Sequence, residues 1–249
     1  MPGFLTSLEA ALGGPDAAWR RRLRRLGRPA WLAPFRTRPA SDVWGLDRGM
    51  PIDRFYIERF LAEHRGDIRG RVVEMQDRRY TDRFGTGVER ADVLDISPNN
   101  PLATIVADLT AAHAVPGDAF DCFVLTQTLQ FIYDVHAAVR EVHRLLTPGG
   151  VVLATVPAVS RLAPVYGLER DYWRFTPAGC RALFGEAFGT DAVTVCGAGN
   201  VRAASAFLAG LAVEDLSRAT LDAQDDAFPL IVTVRAVKRA DTRNVTAPA

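Results

Sequence analysis

Polar residues that could do chemistry stand at the ends of short apolar runs. Glu74 lies in Arg71–Met75, Asp95 in Val93–Ser97 and Asp108 within 104–109, while Gln127 follows the run Phe120–Leu125. A carboxylate accepts two hydrogen bonds at once, which suits a ligand rich in hydroxyls. For proton transfer the candidates are His136, Asp134, Tyr133, Asp171 and Tyr172. Of the four histidines, His136 is the one near the expected active edge, and the residues alone single out no acid–base pair. A third group lies in VSRLAPVYGLERDYWRFTPAG, at 159–179. Tyr166, Tyr172 and Trp173 among alternating charges read as a pocket lining or lid. Their rings suit the apolar faces of a sugar, with Asp171 and Arg174 bonding its hydroxyls. Core packing of Trp173 and Phe175 is the alternative.

These residues need strands and helices to bring them together. The run Phe120–Leu125 suits a buried parallel strand. Asp134 can cap a helix with apolar positions Val135, Ala138, Val139, Val142, Leu145 and Leu146. Pro148-Gly149-Gly150 stops it, and Val151–Val156 reads as the next strand. Strand, helix, strand is a right-handed crossover in a parallel sheet, whose ligands bind beyond the carboxyl ends of the strands. Further strands are expected at 71–75, 93–97, 104–109, 193–196 and 228–238. Helices are expected at 52–64, with Asp53 as N-cap, and from Pro177 to Phe188. Residues 199–225 form a helical insertion, read as a cap over the site or a dimer face.

The ordered pieces FDCFVLTQTLQFI, AVREVHRLLTPGG and VVLATVP resemble class I S-adenosylmethionine-dependent methyltransferases. MPIDRFYIE, the D-x-x-Y-T-x-x-F-G loop at 77–85, ATIVADLT and DYWRFT resemble a type 11-like bacterial subgroup associated with glycosyltransferases. The resemblance covers about residues 45–238. It implies a Rossmann-like, seven-stranded α/β sheet with an antiparallel last strand. It also implies an S-adenosylmethionine site formed by Glu74, Gln76, Asp95, Ile96, Asp108, Leu109 and Gln127. Asp95 would bind the ribose hydroxyls, Asp108 and Leu109 the adenine, and Gln127 to Gln130 the floor beside the sulfonium. The glycines of the family's E/D-x-G-x-G-x-G loop are absent: Gln76, Arg78 and Tyr80 occupy their places. Either a different loop holds the cofactor, with Gly85 and Gly87 flexible and Arg78, Arg79 or Arg83 on its carboxylate, or the fold is repurposed. The implied reaction is O-methylation of a sugar hydroxyl in a glycan or glycosylated metabolite. The alternative is a non-catalytic partner of a glycan-assembly enzyme.

Bulk properties fit one α/β domain with extensions, in 249 residues that are 48% hydrophobic and 24% charged. The three cysteines are widely spaced, which argues against a disulfide or zinc framework and for a reducing, cytoplasmic setting. No metal is expected. Residues 1–50 hold nine arginines against four acids, and the rest holds 21 basic against 25 acidic residues. The basic stretch WRRRLRRL, 19–26, reads as a helix with an apolar seam of Trp19, Leu23 and Leu26. It is either a solvated face or a peripheral membrane or partner-protein contact. No nucleic-acid motif accompanies it. The expected organisation is a basic arm at 1–50, a domain at 51–239 and a disordered tail at 240–249.

Overall fold

The computed structural model describes residues 17–29, 37–164 and 167–240. The tail expected beyond 240, the first 16 positions and residues 30–36 of the arm therefore lie outside the described residues. In chain order the elements are α1 (Ala17–Gly27), α2 (Ile52–Glu63), β1 (Gly70–Met75), α3 (Arg79–Phe84), β2 (Val88–Asp95), β3 (Ile105–Val106) and β4 (Phe120–Thr126). There follow α4 (Val135–Leu145), β5 (Leu146–Pro157), α5 (Pro177–Phe188), β6 (Val193–Ala198), α6 (Val201–Leu208), α7 (Arg218–Asp222) and β7 (Ile231–Val237). The sheet order is β3-β2-β1-β4-β5-β7-β6. Strands β1 to β5 pair in parallel, and β7 runs antiparallel to both neighbours. The expected seven strands and antiparallel last strand are present. The third strand is shorter than expected, because the chain leaves the sheet after Val106, and the second begins earlier, at Val88.

Side chains alternate across the sheet, so each strand feeds two cores. Val72, Cys122, Val124 and Leu153 meet Ile52, Tyr56, Ile57 and Phe207 on one face. Val73, Phe123, Leu125 and Val152 meet Val139, Val142, Leu183 and Phe184 of α4 and α5 on the other. Helix α4 begins where Asp134 accepts the Ala137 N–H at 2.8 Å. Helix α5 begins where Thr176 accepts the Gly179 N–H at 3.1 Å, with Pro177 in its first turn.

The insertion does not lie over the site; it clamps the segment 40–56. Arg48, wholly buried, donates from Nε and Nη2 to Asp215 Oδ2 and Oδ1 at 2.9 and 3.0 Å. Ala40 N–H donates to Ala209 O, Val213 N–H to Met50 O and Tyr56 Oη to Leu221 O. The approach is close enough to demand glycine on both sides. Gly45 has φ +80° and a Cβ there would sit 2.4 Å from Leu211 O; Gly210 has φ +71° and its Cβ would sit 2.4 Å from Ser41 O.

Cutting this buried ion pair on one side strands a charge in the interior. Arg48→Met is expected to cost about 3–5 kcal/mol in urea denaturation, and the double variant with Asp215→Leu to recover most of it.

Candidate active site

A cavity of about 470 Å³ opens beyond the carboxyl ends of β1 and β4, within the roughly 300–1,000 Å³ usual for ligand sites. Its floor is Glu74 to Asp77 and Thr126 to Thr128. The arm contributes Val43, Trp44 and Leu46, helix α2 contributes Asp53 and Arg54, and the loop after β5 contributes Ser160 and Arg161.

The loop after β1 solves the missing-glycine problem by another route. Gln76 has φ +67°, the left-handed region glycine favours, at the first position where the resembling family has glycine. The chain then turns straight into α3, whose cap residue Arg78 supplies no side-chain bond. Two upstream carboxylates do this work. Glu74 Oε1 accepts the Tyr80 N–H at 3.1 Å, and Oε2 accepts the Thr81 N–H at 2.8 Å and Thr81 Oγ1 at 2.7 Å. Asp77 Oδ1 accepts the Arg79 N–H at 3.0 Å. Burial pushes the Glu74 carboxyl up to about 7, and its bonds from Thr81 and Tyr80 pull the other way.

Gln127, at the end of β4, is also left-handed at φ +47°, and so is Trp44 at φ +56°. Three of the four left-handed non-glycine residues among those described therefore stand at one cavity. Strain of this kind collects at functional sites when the surroundings over-determine it. Gln127 Nε2 and Gln130 Oε1 are buried there without a hydrogen-bond partner among the described residues.

Of the residues expected to hold the cofactor, Glu74, Gln76 and Gln127 reach the cavity wall. Asp95 is buried one layer behind it. Its Oδ1 accepts the Ser97 N–H at 2.8 Å, and its Oδ2 accepts Asn100 Nδ2 at 2.7 Å. Asn100, whose Nδ2 also reaches Gln76 O at 2.7 Å, is the side chain presented to the cavity. Ile96 is 67% exposed, Leu109 is in the core, and Asp108 is exposed with Oδ1 turned back onto Thr110; none of them lines the cavity. Arg78 pairs with Asp82 and Arg83 with Glu58 outside the cavity, whereas Arg79 lines it, held by Asp77. Gly85 and Gly87 lie past α3, beyond its wall.

Of the residues expected to move protons, Asp171 lines the cavity, and His136, Asp134, Tyr133 and Tyr172 do not. His136 Nδ1 lies 2.8 Å from Glu186 Oε2 on the outer surface, because the first turn of α4 faces α5. Asp134 is occupied as the cap of α4. Tyr172 lies at the rim, edge-on to Tyr133 with ring centroids 5.4 Å apart. Tyr166 lies outside the described residues. Asp171 and Arg174 do line the cavity, paired at 2.5 and 3.1 Å. Trp173, between them in sequence, does not line the cavity; it donates Nε1–H to Ile132 O at 3.0 Å.

Asp53 is the titratable residue that the sequence reading misplaced. Pro51 caps α2 without a side-chain bond, so Asp53 falls inside the first turn and faces the cavity. Proline just before the first helical residue was the available signal. Burial raises the Asp53 carboxyl above its usual range, and Oδ1 accepts the Arg54 N–H at 2.8 Å.

Residues 78–154 match the family model of a methyltransferase domain. Over those residues the chain is similar to that domain. S-adenosylmethionine is the cofactor this likeness implies, and a cavity at the strand ends with orphaned amides and a close backbone turn fits it. The fold is that of the S-adenosylmethionine-dependent methyltransferase from Archaeoglobus fulgidus, at 10% identity and TM-score 0.50 over 74% of this chain and 94% of that one. A second such enzyme, from Mesorhizobium loti, is similar at 17% identity and TM-score 0.47 over 75% and 98%. No curated protein matches the sequence.

Because folding raises the Glu74 pKa above its unfolded value near 4.5, the protonated form is the one folding favours. Stability from this group is present in full below that unfolded value and is lost as pH rises through about 7. Measured without cofactor, the stability difference between wild type and Glu74→Gln is expected to shift by about 3 kcal/mol against wild type across that window. A flat difference would show that Glu74 ionises without penalty.

Proposed function

We propose that the domain methylates a hydroxyl of a sugar-bearing acceptor, with Asp53 taking the proton. The cofactor, when bound, supplies an electrophilic methyl group on a sulfonium. The acceptor oxygen must then be held in line with that group and be relieved of its proton. Of the four carboxylates that line the cavity, Glu74 is taken up by Tyr80 and Thr81, and Asp77 and Asp171 are engaged by Arg79 and Arg174, which leaves Asp53, whose Oδ1 accepts the Arg54 N–H. Its raised pKa makes it a stronger base than an ordinary aspartate. Gln76, Asn100 and Gln127 would hold the cofactor at the strand ends.

The observation that carries the sugar reading is the exposed aromatic cluster at the rim. Tyr133 is 71% exposed, Tyr172 44% and Trp173 38%, and the Tyr133 and Trp173 ring centroids are 6.1 Å apart. The cluster is fixed to the cavity wall, since Tyr172 N–H donates to Gln130 O at 2.8 Å. Rings left in water beside a polar cavity suit a ligand with apolar faces and hydroxyl edges.

The test is incubation with labelled S-adenosylmethionine and nucleotide sugars, glycolipids or small phenols. Label on sugar hydroxyls is expected; label on phenols alone would overturn the acceptor class. Asp53→Asn is expected to lower kcat by about 10²–10⁴-fold, with cofactor affinity kept. In wild type, kcat should fall as pH drops through the raised Asp53 pKa. An unchanged rate in the variant would remove Asp53 from the chemistry.

A further inference from the structure

Helix α1 is mounted with its apolar side facing away from the protein. Positions 21, 24, 25 and 28 share one side of a helix, and three of them grip the arm. Arg24 Nη1 pairs with Asp47 Oδ2 at 2.5 Å, Arg25 Nη1 donates to Arg48 O at 3.2 Å, and Arg28 Nη1 donates to Ala40 O at 3.0 Å. Arg48 Nη1 returns a bond to Arg24 O at 3.3 Å. The opposite side carries Trp19, Leu23 and Leu26, which are 52%, 53% and 69% exposed. Arg20 and Arg22, both exposed, flank that seam, and the Arg20 guanidinium lies 5.8 Å from the Trp19 ring. A surface helix ordinarily turns its apolar stripe to the core. Here the arginine contacts hold the stripe in water, although burying it would be favourable.

We propose that this seam docks the protein on an anionic lipid surface. Three apolar side chains on an 11-residue helix match the shallow depth of an interfacial helix. Arg20 and Arg22 have the reach to place their heads among lipid phosphates while their stems stay with the seam. From Ala17 to Arg28 there are six arginines and no acid. A second copy of the chain would therefore bring like charge against itself, and a basic partner would find nothing to pair with. The gripped segment also supplies Val43, Trp44 and Leu46 to the cavity wall, so a docked helix holds the cavity beside the bilayer.

The test mixes the full chain with phosphatidylcholine vesicles, with and without phosphatidylglycerol, and measures co-sedimentation. Binding to the anionic vesicles alone is expected, weakening as salt is raised. Leu23→Asp should abolish it. Arg20→Gln and Arg22→Gln should each weaken it about fivefold. These side chains are exposed, so the thermal transition should be unchanged. Absence of binding to anionic vesicles, or full binding by Leu23→Asp, would overturn the proposal. So would a dimer in light scattering that Leu23→Asp dissolves, because the seam would then be a protein interface.

Discussion

The site depends on one buried carboxylate. Glu74 collects two backbone N–H groups and a hydroxyl from residues six and seven positions downstream, and so pulls α3 back against the end of β1. A helix of six residues has no stability of its own. It exists because Glu74 and Asp77 satisfy the N–H groups its first turn leaves open. That capture lets the chain turn at Gln76 without the glycines found in the resembling family.

The same economy explains the arm. Left-handed Trp44 and glycine at 45 form a tight turn pressed against the insertion, and the Arg48–Asp215 pair locks it there. The insertion therefore serves the cavity indirectly: it fixes the arm, and the arm supplies a wall. Arg161 completes this wall by lying over the Trp44 ring, 5.1 Å from its centroid, while Arg174 holds the Arg161 carbonyl at 3.1 Å. The arm at 40–48 and the residues Ser160, Arg161, Asp171 and Arg174 thus meet around strand ends from the middle of the chain, with the insertion bracing the arm from behind.

The sheet was legible because strand identity is local. Apolar runs of the right length, bounded by turns and an amphipathic helix such as α4, need no knowledge of what lies across the molecule. The cap at Asp134 and the helix opening at Pro177 were legible for the same reason. The site was less so. Asp95 stands at its strand end as read, but Asn100, five residues on, folds back over it and takes its place at the wall. His136 starts the helix nearest the site, yet helical phase turns it to Glu186. Asp53 enters the cavity only because the arm and insertion carry α2 there, a placement no local pattern encodes.

The central claim is that the Glu74-capped turn does the work of a glycine-rich loop and holds the cofactor. The direct measurement is calorimetric titration of S-adenosylmethionine into the purified protein and into Glu74→Ala, each checked for cooperative unfolding. The account predicts saturable binding by the wild type and a loss of more than about tenfold in the variant, since three hydrogen bonds of about 0.5–1.5 kcal/mol each position the loop. No binding by the wild type, or equal binding by both, would contradict it.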